Sequence, residues 1–184
     1  MNVTAVAVMI AVVETSLGTF EIELYQKDAP KTVKNFAGLA KKGFFNGLRV
    51  HRIAPGYVIQ AGDPLSRDRA QINRWGTGGT SIYGKEFADE LNPGTPSQKA
   101  GYLRGVVAMA NRGPNTNTSQ FFVLLTDVPQ MPRAYTIFGK VTKGMEVVDR
   151  IGAAELERPG QRDGRPKEEI FITKVTIKDA AVKK

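Results

Sequence analysis

Arg49–Asp63 reads Arg-Val-His-Arg-Ile-Ala-Pro-Gly-Tyr-Val-Ile-Gln-Ala-Gly-Asp. Two short runs rich in β-branched residues flank Ala54-Pro55-Gly56, and apolar runs on either side of such a breaker predict a strand pair. Arg52 then sits on one strand and Gln60 on its neighbour. Period-2 alternation puts Arg52 and Val50 on one face and His51 and Ile53 on the other. An arginine that shares a face with an apolar residue either points to solvent or lines a groove, and this stretch alone leaves both open.

A second stretch, Ala108–Phe122, reads Ala-Met-Ala-Asn-Arg-Gly-Pro-Asn-Thr-Asn-Thr-Ser-Gln-Phe-Phe: a strand end, a Gly/Pro/Asn/Thr/Ser loop and an aromatic strand start. Together with His51-Arg52-Ile53-Ala54-Pro55-Gly56, Gly76-Thr77-Gly78-Gly79 and Phe138-Gly139-Lys140-Val141, it closely resembles the cyclophilin family of peptidyl-prolyl cis/trans isomerases. The motifs occur in the family's order, and the resemblance runs from about Val12 to Lys178.

The 184 residues, 41% of them hydrophobic, make room for one domain over 1–184 with a sizeable core. The absence of cysteine excludes a disulfide framework and a thiolate nucleophile, and the single histidine excludes His-rich metal clusters. A Ser-His-Asp site would have to use His51, and nothing places a serine beside it. A formal charge of +8 and a pI near 9.8 raise the question of an acidic partner such as nucleic acid. The basic residues are spread along the chain, apart from Arg67, Arg69 and Arg74 in one loop and Lys183-Lys184 at the end. A solvated basic surface is therefore expected, without specific nucleic-acid binding.

Met1 to Ala11 are mostly small and apolar. The segment has no basic leader, passes into Val12-Val13-Glu14 without a cleavage region, and is too short to span a bilayer. Residues 1–9 therefore read as an N-terminal strand extension or tail, with a signal segment as the alternative, and the expected location is the cytoplasm. Phe20, Ile22 and Leu24 alternate with Glu21 and Glu23 as in a half-buried strand, and Ser16-Leu17-Gly18 supplies the turn before it. Asp28 is placed to cap a helix that has Pro30 in its first turn, an apolar stripe of Val33, Phe36, Ala37 and Ala40, and Lys41-Lys42 before Gly43. Pro64–Trp75 is a polar loop that stands as an insertion against the family pattern. It is either a surface excursion with Trp75 laid on the wall of the fold or an extra substrate contact.

Gly105–Met109, Phe121–Leu125, Thr136–Val141 and Ile170–Ile177 read as strands, Lys143–Ile151 as a second amphipathic helix, and Gly152–Lys167 as a polar loop. About eight strands suit what the resemblance implies: a mainly β fold, a closed antiparallel eight-stranded barrel capped by two α-helices.

Rotation about an X-Pro bond faces a barrier of about 18–20 kcal/mol because the C–N bond is partly double. In the twisted transition state the nitrogen regains a lone pair, so a donor aimed at it favours that state over either planar one. Arg52 suits this role, with a permanently charged, rigid fork of donors. A gain of about 5.5 kcal/mol gives roughly four decades of rate. The resemblance implies an apolar seat for the proline ring from Tyr57, Val58, Phe122 and Met131, and Tyr135 at its rim. Gln60 and Gln120 are expected to orient Arg52 and the moving carbonyl, and Ala110 and Asn111 to grip the peptide as an added strand. No cofactor or metal is implied. The expected partners are proline-containing peptides and unfolded protein segments, bound by a monomer.

The chain departs from the family pattern at Gln130-Met131, where tryptophan and leucine are common, at Tyr135, where many members have histidine, and at Tyr57-Val58, where phenylalanine and methionine are usual. The seat stays apolar but changes shape, and weak binding of cyclosporin is expected because glutamine offers less area than tryptophan. His51, alternating with Arg52, is expected to face away from the groove. Two other function classes stay open: a proline-peptide binding module with incidental catalysis, and a basic accessory protein of nucleic acid.

Overall fold

The computed structural model describes residues 5–183. The predicted first hairpin forms from β1 (Ala5–Thr15) and β2 (Gly18–Leu24), paired from Met9↔Leu24 to Thr15↔Gly18. Phe20, Ile22 and Leu24 are buried against Ala11 and Val13, as the alternation requires. The Arg49–Asp63 stretch gives β3 (Arg52–Ala54) and β4 (Val58–Ala61), joined by a turn in which Tyr57 N–H donates to Ala54 O. β5 (Val106–Met109), β6 (Phe121–Leu124), β7 (Ile137–Lys143) and β8 (Ile172–Lys183) complete one antiparallel sheet in the order β3-β4-β6-β5-β7-β2-β1-β8.

That order leaves β3 and β8 as the two ends of the sheet, and among the described residues no continuous ladder joins them. Short contacts between the segments before each strand tie these ends instead. Arg49 and Phe171 form a single bridge, Val50 N–H donates to Ile170 O at 2.8 Å, and Ile172 N–H donates to Leu48 O at 2.8 Å. β8 is longer than the sequence predicts because Ala5–Met9 continue β1 and pair with Asp179–Lys183.

α1 (Pro30–Lys41) places Phe36 in the interior cluster, its ring centroid 4.9 Å from Phe45, 5.5 Å from Phe121 and 5.3 Å from Phe138. α3 (Met145–Gly152) adds Val147, Val148 and Ile151 to the same cluster. A short α2 (Pro96–Ala100) was not expected, so three α-helices rather than two accompany the sheet among the described residues. None of the described helices is long and apolar enough to cross a membrane.

Two local expectations need correction. Asp28 does not cap α1: the N-cap is Ala29, and Asp28 Oδ2 accepts from Ser97 N at the start of α2. The exposed donors of α1 are met from a distance by Glu90, whose carboxylate accepts from Lys31 N at 3.0 Å, Thr32 N at 2.9 Å and Thr32 Oγ1 at 2.8 Å. A carboxylate at a helix N-terminus also opposes the positive end of the helix dipole. Val50 does not share a face with Arg52: it belongs to the interior cluster with Ile53, because regular β3 starts only at Arg52 and the chain before it is irregular.

Residues 64–75 fold as two 3-10 helices, Pro64–Arg67 and Arg69–Arg74, capped by the side chains of Asp63 and Asp68. Trp75 Nε1 donates to Asp68 O at 3.0 Å, and the Arg49 guanidinium stacks 5.3 Å from the Trp75 ring centre. Arg49 Nη1 also donates to Ser66 O and Arg67 O. Its Nε lies 2.9 Å from Glu169 at an angle that makes an ion pair but no hydrogen bond. The segment therefore packs on the outer wall beside the Arg49–Phe171 bridge. Replacement of Glu90 by alanine is expected to cost about 1–2 kcal/mol of stability through loss of the α1 cap, seen as a lower midpoint in chemical denaturation.

Candidate active site

β5 and β6 are buried on both faces, and so is β4 except at Gln60, and this creates the site. Along β6, Phe121 and Val123 join the interior cluster, whereas Phe122 and Leu124 join a second apolar cluster on the outer face with Ala54, Val58, Tyr102, Val106, Ala108, Val128 and Ile137. The register places Arg52 opposite Gln60, Gln60 opposite Phe122, and Phe122 opposite Ala108. One row across four strands thus runs from a cation through an amide to an aromatic ring.

Tyr57, Ala110, Met131 and Tyr135 are half-buried against the same outer cluster, so the predicted seat residues come together around Phe122 and the buried Val58. Phe122 and Tyr135 pack edge to face with centroids 5.5 Å apart. The Tyr57 hydroxyl makes no hydrogen bond to the described residues. Tyr102, which the sequence did not single out, holds Tyr135 in place: its Oη donates to Tyr135 O at 2.9 Å and accepts from Tyr135 N at 3.1 Å.

The polar half of the row is a hydrogen-bond chain with one direction. The carbonyls of Gly76 and Gly78 can only accept, so Gln120 turns its Nε2 to them, at 2.9 and 2.6 Å. Its Oε1 then faces Gln60 and accepts from Gln60 Nε2 at 2.9 Å. Gln60 is left with Oε1 toward β3, where it accepts from Arg52 Nη1 at 3.1 Å. The orientation of each amide follows from the network that it joins. Arg52 Nε donates to Asp163 Oδ2 at 2.7 Å. Gln120 is therefore fully engaged and acts on the row only through Gln60.

Asp63 holds the far end of this chain. Its Oδ1 accepts from Leu65 N at 2.8 Å, and its Oδ2 from Gly78 N at 3.3 Å and from Gly76 N. A Cβ at Gly78 would lie 2.3 Å from Asp63 Oδ1, so only glycine lets that turn close over the carboxylate. A groove of about 410 Å³ opens beside the row, lined by Gln60, Gln120, Ala110, Asn111 and the Gly76–Thr80 turn, with the Arg112–Glu86 ion pair on its wall. The Asn111 side chain is tied to the loop around it, Nδ2 to Ala134 O at 2.8 Å and Oδ1 to Gly113 N at 3.2 Å. Any grip on a peptide there falls to backbone groups.

Residues 10–177 match the family described as cyclophilin type peptidyl-prolyl cis-trans isomerase/CLD. The chain belongs to the cyclophilin family of peptidyl-prolyl cis-trans isomerases. It is similar to the peptidyl-prolyl cis-trans isomerase-like 1 of Aspergillus fumigatus, 42% identical over 166 residues, covering 90% of this chain and 93% of the relative. The mouse protein of the same description is 45% identical over 161 residues, covering 88% and 87%. Among solved structures, a Cryptosporidium parvum cyclophilin type peptidyl-prolyl cis-trans isomerase superposes with a TM-score of 0.80 at 32% identity, covering 93% of this chain and 98% of that one. The same parasite enzyme in the presence of the dipeptide Ala-Pro gives a TM-score of 0.79, also at 32% identity, covering 92% and 98%.

Two carboxylates in this cyclophilin escaped the sequence. Asp63 carried a usable signal, a carboxylate directly before Pro64 in the pattern of a helix cap. Asp163 carried none, since it lies in a polar loop 111 residues from Arg52. His51 is buried beneath the Gly76 turn, where a Cβ on Gly76 would come within 3.4 Å of its ring. The neighbouring Gln120 amide is already taken, and neither ring nitrogen makes a hydrogen bond to the described residues. Burial pushes the His51 pKa from 6.5 down to about 4, against the opposing pull of the Asp63 carboxylate.

The unfolded chain thus binds this proton more readily than the folded one. The contribution of His51 to stability is complete above about pH 6.5 and is lost as the pH falls toward about 4, a change of a few kcal/mol. Denaturation midpoints measured across that window are expected to fall with pH, and the fall to shrink in His51→Gln. The isomerisation rate is expected to stay flat from about pH 6 to 8, where His51 remains neutral.

Proposed function

We propose that this cyclophilin isomerises X-Pro bonds of peptides and unfolded segments by holding the proline ring on Phe122 while Arg52 donates to the twisted amide. The observation that carries this reading is the row Arg52–Gln60–Phe122 on the outer face. Adjacent strands lie about 4.8 Å apart, so Arg52 and Phe122 start from backbones about 10 Å apart, a span suited to a dipeptide with the Arg52 side chain reaching inward.

No bond is made or broken. Gln60 and Asp163 each take one N–H of Arg52, which leaves three of its five donors for substrate. As the amide twists, its nitrogen gains basicity, and a donor already oriented favours that state without reorganising. The seat is apolar and shared by Val58, Tyr57, Met131 and Tyr135, which suits a ring that stays still while the preceding carbonyl swings. The peptide backbone is gripped at Ala110 and Asn111. The Ala110 N–H is already used on Gln120 O, which leaves its carbonyl to pair with an added strand.

The same reading includes a single domain over 1–184 with an N-terminal extension at 1–9 and an insertion at 64–75 that stays clear of the substrate. It also includes a sheet closed into a barrel, supported by the contacts of Leu48–Val50 with Ile170–Ile172. The protein is taken to be a cofactor-free monomer of the cytoplasm that binds cyclosporin weakly and recognises no specific nucleic acid.

Arg52→Ala is expected to lower kcat/KM at least a hundredfold, about 2.7 kcal/mol of transition-state stabilisation, with an unchanged circular dichroism spectrum. A protease-coupled assay on a short X-Pro peptide measures the loss, and retained peptide binding separates it from a seat defect. Gln130 is exposed beside Met131, and Gln130→Trp is expected to tighten cyclosporin binding by calorimetry.

A further inference from the structure

Asp163 lies on the segment between α3 and β8, and the backbone brings it to the site. Ile53 N–H donates to Gly164 O at 2.8 Å and Gly164 N–H donates to Ile53 O at 2.9 Å, an antiparallel bridge that covers the free edge of β3. Ile53 faces the interior, so its neighbours Arg52 and Ala54 face outward. Across an antiparallel bridge the neighbours of Gly164, Asp163 and Arg165, face outward as well. Asp163 stands diagonal to Arg52, within reach of a long side chain. Arg165, directly opposite Arg52, is engaged by Glu157 at 2.7 Å, which among the described residues leaves the Asp163 carboxylate to Arg52.

The contact is 2.7 Å, from Arg52 Nε. Gln60 takes a hydrogen of Nη1, on another limb of the same planar group. Two acceptors on different limbs of a rigid fork fix its plane as well as its position, and they leave both hydrogens of Nη2 unengaged among the described residues. Both partners of the ion pair are nearly half exposed, at 40% and 46%, so solvent screens it and it does little for the stability of the fold. What it does change is the number of orientations open to the guanidinium.

We propose that Asp163 is a positioning residue of the isomerase, holding the Arg52 guanidinium in the plane from which it meets the twisted amide. The proposal rests on Arg52 being the transition-state donor. Asp163 itself touches no substrate.

The test is a set of four variants assayed on one X-Pro peptide, with rates normalised to folded protein. Asp163→Ala is expected to lower kcat about tenfold with KM within about twofold of wild type and the melting temperature nearly unchanged. Asp163→Asn keeps an acceptor oxygen and is expected to recover most of that loss. Arg52→Ala and Arg52→Ala/Asp163→Ala are expected to be equally slow, since a positioning residue has nothing to act on once its arginine is gone. Near-normal turnover in Arg52→Ala would sink the reading of Arg52 itself. If Arg52→Ala is slow, then unchanged kcat in Asp163→Ala, a rise confined to KM, or a further additive loss in the double variant would each overturn the role given to Asp163.

Discussion

Phe121 and Phe122 are neighbours in the chain and face opposite sides of β6, and the rest of the molecule depends on both sides being covered. The inward ring packs against Phe36 and Phe45. The outward ring lies in a second apolar cluster that rises to the surface at Tyr57, Met131 and Tyr135. A slip of one residue in the β4–β6 register would exchange the two faces and turn Gln60 into the core, an unpaired amide in apolar surroundings. Gly62 guards this register at the end of β4. It has φ +95, and a Cβ there would lie 2.2 Å from Ser119 O, while Ser119 Oγ donates to Gly62 O at 2.7 Å.

On the outer face, direction matters more than strength. A neutral hydrogen bond adds about 1 kcal/mol net, so the chain from Gly76 and Gly78 through Gln120 and Gln60 to Arg52 is no large part of the stability. Its effect is to remove choice. Carbonyls that only accept set the first amide, the first sets the second, and the second presents an oxygen to a guanidinium that can only donate. Asp63, fully buried and accepting from Leu65, Gly76 and Gly78, holds the turn that starts the sequence of choices. His51 fills the space beneath that turn as a neutral ring, which keeps a second positive charge away from Arg52 at neutral pH.

The edges of the sheet are managed by loops. Residues 64–75 lie over the Arg49–Phe171 bridge, locked by Arg49 against Trp75 and Glu169, and the segment around Gly164 covers β3. The second of these cannot pair with β3 without bringing its outward-facing neighbours next to Arg52. Edge protection and the electrostatics of the site are in this way one piece of backbone.

Motif order by itself identified the family, and the resemblance implied the apolar seat; alternation and the Ala54-Pro55-Gly56 turn gave the strand pair of Arg52 and Gln60 and the strand that carries Phe122, because period-2 patterns and short-range turns are local properties of a chain. The row Arg52–Gln60–Phe122 was half visible: the hairpin sets Arg52 opposite Gln60, but only the β4–β6 pairing sets Gln60 opposite Phe122. Contacts between residues far apart in sequence were not legible. Glu90 rather than Asp28 meets the start of α1, Asn111 is tied to Ala134, Val50 turns inward where β3 is not yet regular, and Asp163 reaches Arg52. Apart from Val50, each of these turns on which of several chemically equivalent polar groups the folded backbone brings within 3 Å, and residue type carries no information about that.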